Sequence, residues 1–272
     1  MKYHQFLSIG ALRMAMKPCV QMISVMAMLQ SIAWGAQEPP VGGKPVMAKQ
    51  ELNQVTLANG IVTLNVDAGK RSITVTDAAS GAVMVDDAWV AADGWGGELG
   101  KTAKKDDLKN WTTTLTVEPL EDALGKGQRA VVTMTEPKRA ALPTYLFSYS
   151  VYENTGAVFM GFGLRNQTAR DVRLMSAAPM IGAKLLPAAT LENLMTLNGA
   201  AGAEPTHVKR GPERTSPNSL MLTCTAQGGR RSVVWGGLRY KEFGKYASLG
   251  KNGLGFSAQD PVGRLVDAGK TY

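Results

Sequence analysis

The sequence predicts an all-β protein, a large antiparallel β-sandwich with little helix, and three observations predict it. Short runs of β-branched and aromatic residues recur from Leu52 to the C-terminus. Turn-forming residues divide them about every 8 to 12 positions. A helical period is sustained nowhere beyond about ten residues. With 272 residues and 44% hydrophobic content, the chain is long and apolar enough to bury a substantial core.

Residues 1–36 read as an export signal. They contain no acidic residue, and Lys2, Arg13 and Lys17 precede an apolar stretch from Val20 to Trp34, followed by the small residues Gly35 and Ala36. Cleavage is expected near Gly35 or Ala36, with Met14 and Met16 as alternative starts, so the mature chain is expected to be secreted or periplasmic. Gln21, Ser24, Gln30 and Ser31 interrupt the stretch, which argues against a membrane span, although a retained anchor is the alternative. Lys17 and Pro18 before Cys19 do not fit a lipidation site.

Residues 37–50 follow as a linker, carrying Pro39, Pro40, Gly42, Gly43 and Pro45, and the folded domain is expected over 51–272. Val55 to Leu57 and Ile61 to Val66 face each other across Asn59-Gly60, a hairpin dipeptide. Ser72 to Thr76 alternates polar and apolar residues, and Ser80-Gly81 turns the chain into Val83-Met84-Val85. Further strands are predicted at Trp111–Val117, Ala130–Thr135, Leu146–Tyr152, Val158–Leu164, Val172–Met175, Leu220–Thr225 and Ser232–Leu238, with a last hairpin across Lys251-Asn252-Gly253. Leu191, Leu194, Met195 and Leu197 give Ala188–Leu197 the best claim to a short helix. Gly199 to Pro217 reads as a loop. In Val233–Leu238 both alternating sets are apolar, which predicts a strand covered on both faces, with Gly236-Gly237 as a bulge or a close backbone approach. No self-similar period points to a propeller or solenoid.

Composition excludes several chemistries. Behind the leader Cys224 is the sole cysteine and His207 the sole histidine, so no internal disulfide, cysteine-built metal site or histidine pair can form within one chain. No cofactor and no metal is expected. Thirty basic residues against 22 acidic give +8, falling to +5 once Lys2, Arg13 and Lys17 are removed. The basic residues stand in scattered pairs, such as Lys104-Lys105, Lys138-Arg139 and Arg230-Arg231, and form no stripe for nucleic acid. Asp86, Asp87, Asp106, Asp107, Glu121 and Asp122 fall in polar stretches that read as turns, where adjacent acids are solvated charge. Asn110-Trp111-Thr112 and Asn166-Gln167-Thr168 match the glycosylation pattern, which has force only in a eukaryotic secretory route.

Four segments then carry a family resemblance: Leu194-Met195-Thr196-Leu197-Asn198-Gly199, Ser216-Pro217-Asn218-Ser219, Ser232 to Tyr240 and Phe243-Gly244-Lys245-Tyr246. Together they resemble the N-terminal β-supersandwich, galactose-mutarotase-like in fold, of bacterial α-galactosidase-like glycoside hydrolases, the melibiase and raffinose-synthase relatives. Asp260-Pro261-Val262-Gly263 and Asp267-Ala268-Gly269 resemble the run that leads such proteins toward their catalytic barrel, and the latter reads as a turn into a further strand. The resemblance implies hydrolysis by two carboxylates of a barrel beyond this domain, so no catalytic residue is assigned here and the chain is expected to be inactive alone.

What remains is a non-catalytic accessory domain that supports the barrel and contributes to an α-galactoside site. Candidate sugar contacts are Trp95 with Asp93, in the glycine-rich stretch Asp93 to Glu98, and Tyr240 with Trp235, because a sugar's apolar face stacks on aromatic rings. The competing readings are a lid for Trp95 and a core position for Trp235. A stand-alone carbohydrate-binding or structural module is the second function, and an aldose mutarotase-like enzyme, short of a histidine acid, the third.

Overall fold

The computed structural model describes residues 23–27, 44–93, 110–138, 142–187, 195–199, 208–210, 214–216, 219–226, 229–237, 244–250 and 253–272. Among these there is no helix, and two antiparallel nine-stranded sheets face each other. In chain order the first strands are β1 (Ile23–Ala27), β2 (Met47–Glu51), β3 (Gln54–Ala58), β4 (Val62–Asp67), β5 (Ser72–Asp77) and β6 (Val83–Asp93). The middle of the chain forms β7 (Thr112–Asp122), β8 (Gly125–Thr135), β9 (Thr144–Tyr152), β10 (Val158–Arg165), β11 (Val172–Leu185) and β12 (Met195–Gly199). The last six are β13 (Val208–Arg210), β14 (Arg214–Ser216), β15 (Ser219–Ala226), β16 (Gly229–Gly237), β17 (Gly244–Gly250) and β18 (Gly253–Val266).

One sheet runs β13-β12-β15-β16-β1-β10-β9-β8-β7 and the other β14-β17-β18-β11-β6-β5-β4-β3-β2. The two are stacked in matching order, with β3 against β7 and β8, β10 against β11, and β16 against β17. The alternation in the sequence is what builds the space between them. In β3, β4 and β5 every second residue is buried, so Val55, Leu57, Leu64, Val66, Ile73 and Val75 point inward while the threonines between them are half-exposed. Tyr145, Phe147, Tyr149 and Val151 of β9 and Met160, Phe162 and Leu164 of β10 meet them from the facing sheet in one continuous core.

The predicted hairpins form. Gly60 takes φ 81° in the turn between β3 and β4, and Gly81 φ 70° between β5 and β6, conformations open to glycine without a steric penalty. β17 and β18 pair from Gly244↔Gln259 to Gly250↔Gly253, and the Lys251-Asn252 turn lies outside the described residues. The turn expected at Asp267-Ala268-Gly269 is also present, with Gly269 at φ 72°, and it returns the chain so that Thr271 pairs with Arg165.

Several elements differ from expectation. Met195–Leu197 is strand, hydrogen-bonded to both β13 and β15, because two neighbouring edges outweigh a weak helical period; residues 188–194 lie outside the described ones. Met47–Glu51, of which all but Glu51 was assigned to the linker, pairs with β3 along its whole length. As an edge strand exposed at all five positions it shows no burial alternation to betray it. Asp86 and Asp87 are in a strand and not in a turn: the register of β5 against β6 shifts there, and Asp87 sits at φ 55° in a bulge that Asp tolerates better than most residues. Gly236-Gly237 is no bulge, since β15 and β16 pair without a shift up to Ser219↔Gly236. Nor is β16 covered on both faces, for Val233 and Trp235 are buried while Val234 is only half-buried.

Hydrogen bonds from three buried side chains cross between the sheets. Asn59, 1% exposed, donates from Nδ2 to the carbonyls of Tyr152 and Thr155, each at 2.7 Å, while its Oδ1 accepts from the Ile61 and Val62 amides at 2.9 Å. Asn166, 0% exposed, repeats the pattern at the far end of β10: Nδ2 donates to Arg170 O and Val266 O at 2.9 Å, and Oδ1 accepts from the Thr168 amide and hydroxyl. Midway, the Tyr149 hydroxyl donates to Pro179 O at 2.6 Å. The Asn166 glycosylation pattern is therefore spent on structure, its amide closed off from solvent.

Two predictions follow from these contacts. Asn59→Ala strands two carbonyls and two amides in the interior and should lower the urea unfolding free energy by about 2–4 kcal/mol, with Asn59→Asp worse because a carboxylate cannot donate to the carbonyls; a loss below about 0.5 kcal/mol, the scatter of ordinary surface substitutions, would contradict it. Burial pushes Tyr149 well above the ordinary tyrosine value of 10, and burial followed by the hydrogen bond to Asp122 raises Tyr152 as well. Above pH 10 the unfolded chain thus loses protons that the folded chain keeps, so unfolding free energy should fall as pH rises through the alkaline range, with a shallower slope in Tyr152→Phe.

Candidate functional site

Of the four candidate sugar contacts, the structure places two. Asp93 is the last residue of β6 and pairs with Ser176 of β11. Trp235 is 0% exposed within the core between the sheets, and its indole N–H has no hydrogen-bond partner among the described residues. That corrects its assignment as a sugar contact: a ring wholly covered by protein offers no face for stacking. Trp95 and Tyr240 lie outside the described residues, so nothing brings the four together.

A concave site does form elsewhere, at the end of the sandwich where β7 turns into β8. It is a groove of about 430 Å³ whose walls include Val46, Pro119, Glu121, Lys126, Gln128 and Glu153. The β7–β8 ladder that carries it is regular, pairing Thr112↔Thr135 through Asp122↔Gly125. Pro119 fits because β7 is the outermost strand of its sheet. Leu115, an even number of residues away, accepts a hydrogen bond at its carbonyl from Gln50 of the other sheet's edge, at 3.1 Å. Backbone groups of residues with this parity therefore point off the sheet, where the missing proline N–H removes no ladder bond.

The groove's floor is tightly held. A Cβ at Gly127 would lie 2.3 Å from Val151 O and 3.1 Å from Tyr152 Cα, so only glycine lets β8 approach β9 this closely. The Tyr152 ring stacks edge-on against Phe159 at 5.1 Å, and its hydroxyl donates to Asp122 Oδ2 at 2.7 Å. Asp122 Oδ1 accepts the Leu124 amide at 2.8 Å, which closes the hairpin tip. Chemically the groove offers two carboxylates, one ammonium and one amide over apolar proline and valine surface. Those groups can hydrogen-bond a hydroxyl-rich ligand.

Four other described carboxylates accept backbone amides. Asp67 Oδ1 accepts the Lys70 amide, Asp77 the Ser80 amide, Glu136 the Lys138 amide and Asp171 the Ala268 amide. Among the described residues, no group of three or more His, Cys, Asp or Glu side chains could hold a metal ion, and no helix is long and apolar enough to cross a membrane. Glu121 and Asp122, read as turn residues, are the last two residues of β7: Asp122 caps the hairpin tip through the Leu124 amide, whereas Glu121 lines the groove, a role that one of two adjacent acids in a polar stretch does not signal. Lys126, Gln128 and Glu153 were missed for the same reason: they are brought together by β8–β9 pairing and by no local motif.

Fold and site together define an all-β sandwich with a small polar groove at one end. Comparison with known proteins gives no matching family model and no matching curated protein.

The two roles of Trp235 separate cleanly by substitution. Trp235→Phe should retain the fold with little loss, since it fills most of the space and removes an unpaired donor, whereas Trp235→Ala should cost about 3–5 kcal/mol in chemical unfolding. A Trp235→Ala protein of unchanged stability would refute the core assignment.

Proposed function

We propose that this chain is the non-catalytic sandwich domain of a secreted α-galactosidase-like glycoside hydrolase, which supports a catalytic barrel and contributes to its sugar site. The all-β sandwich agrees with the fold that the sequence resemblance implies. The observation that carries the reading is the employment of five described carboxylates: Asp67, Asp77, Asp122 and Glu136 each cap a turn, and Asp171 accepts the amide of Ala268, far along the chain. A retaining glycosidase instead needs two acids about 5–5.5 Å apart across a bound sugar. An accessory role needs no such pair. Its partner is a carbohydrate of α-galactoside type, and Trp95, Asp93 and Tyr240 are retained as the residues that would face it.

The test is enzymatic and calorimetric. The isolated chain should not turn over aryl α-galactosides. Any binding of α-galactosides measured by titration should weaken about tenfold or more in Trp95→Ala or Tyr240→Ala, a loss of about 1.4 kcal/mol, and should be indifferent to Trp235→Phe. Turnover that disappears on changing Glu121 or Glu153 to Gln would overturn the proposal and place an active site in the groove.

A further inference from the structure

The segment with the character of an export signal is used in the fold as a strand. Ile23–Ala27 lies between β10 and β16 in the middle of its sheet. It pairs antiparallel with β10 over Ile23↔Phe162, Ser24↔Gly161, Val25↔Met160, Met26↔Phe159 and Ala27↔Val158, and with β16 through Val25↔Gly237 and Met26↔Gly236. In that sheet β1 alone joins the block β13-β12-β15-β16 to the block β10-β9-β8-β7. Neighbouring strands are spaced about 4.8 Å apart, so without β1 the backbones of β10 and β16 would stand about 10 Å apart, beyond hydrogen-bonding reach. Both strands border a buried core: Val158, Met160, Phe162, Val233 and Trp235 are at most 1% exposed.

The rest of that β10 edge is covered by Thr271 and Tyr272. Thr271 pairs antiparallel with Arg165, and Leu164 and Tyr272 exchange amide-to-carbonyl hydrogen bonds at 3.0 and 2.8 Å. A Cβ on Gly163 would meet Tyr272 O at 2.8 Å, so the glycine admits the tail. Tyr272 stands opposite Leu164, and Ile23 opposite Phe162, two positions further along with Gly163 between. Both segments are antiparallel to β10, hence they run in one direction and follow one line. The edge of β10 is a track for an added strand, filled at one end by the tail and at the other by Ile23–Ala27.

We propose that the gap between β10 and β16 is a strand-acceptor site, and that its occupant is this chain's own Ile23–Ala27, which acts as a working strand of the folded protein. Recognition is by main-chain hydrogen bonding, the mode by which an extended peptide completes a sheet. Removal of residues 1–36 would empty the site and expose two facing edges, so the cleavage expected near Gly35 is replaced here by a segment kept in the folded protein.

Hydrogen exchange on the full chain, made without export so that residues 1–36 stay attached, tests this. In the unaltered protein, peptides covering β10 and β16 should exchange slowly. Val25→Pro removes a donor and wedges the strand, and should speed exchange in both by at least tenfold, while β3, β4 and β5 keep their protection. Val25→Ala, which keeps the N–H, should not. Appending Gly-Ile-Ser-Val-Met-Ala after Tyr272 in the Val25→Pro chain puts a new strand in the same register from the tail, and should restore slow exchange. Failure of Val25→Pro to fold while Val25→Ala folds would equally support the proposal, since a disposable leader cannot be required. Unchanged exchange in Val25→Pro, no rescue by the appended strand, or an exported chain starting near Gly35 that still protects β10 and β16, would overturn it.

Discussion

The two sheets of this protein are fastened by a few buried polar groups that cross the apolar layer. Hydrophobic contact alone is non-directional and would let one sheet slide over the other. Asn59, Tyr149 and Asn166 remove that freedom, because each binds backbone carbonyls of a specific partner turn or strand. The two asparagines work alike. One amide face donates to two carbonyls and the oxygen accepts from the chain just ahead, so neither leaves a buried polar atom unpaired. Such fully satisfied groups define the relative position of the sheets in a way that close-packed valines and leucines cannot.

The second constraint concerns edges. A nine-stranded sheet has two outer edges, and this one meets the problem of an interior gap as well. Along the outer edge of β7 the exposure is moderated by Gln50, which reaches over from the facing sheet, and by Pro119, Glu118 and Glu121, residues unsuited to pairing with another chain. Inside the sheet, β10 draws on two segments far apart in sequence, with Thr271 and Tyr272 at one end of its edge and Ile23–Ala27 along the rest. Sheet completion and the fate of the N-terminal segment are thereby linked.

The polar groove at the β7–β8 hairpin owes its shape to close backbone approach and its groups to strand pairing. Gly127 brings β8 down onto β9, and Tyr152 fixes the hairpin tip through Asp122. The proposed sugar site is a separate matter, resting on aromatic residues beyond β6 and β16. Trp235 is no longer among them, since its ring serves the interior.

The all-β class, the hairpins at Asn59-Gly60 and before Gly253, and the turn at Asp267-Ala268-Gly269 were legible in the sequence because they depend on local properties: alternation of two, turn residues that accept positive φ, and β-branched side chains. Everything set by long-range pairing was hidden. Met47–Glu51 shows no alternation because an edge strand exposed on both faces has none, and Met195–Leu197 is strand only because β13 and β15 flank it. Asn59 and Asn166 are indistinguishable in sequence from ordinary turn asparagines, and the groove's Glu121, Lys126 and Glu153 from ordinary surface charge. The same holds for Ile23–Ala27, whose apolar composition suits an export signal and a central strand equally. Composition determined that this chain would build sheets, and tertiary structure alone decided which edges meet, because hydrogen-bonding partners more than a hundred residues apart leave no trace in either one's neighbourhood.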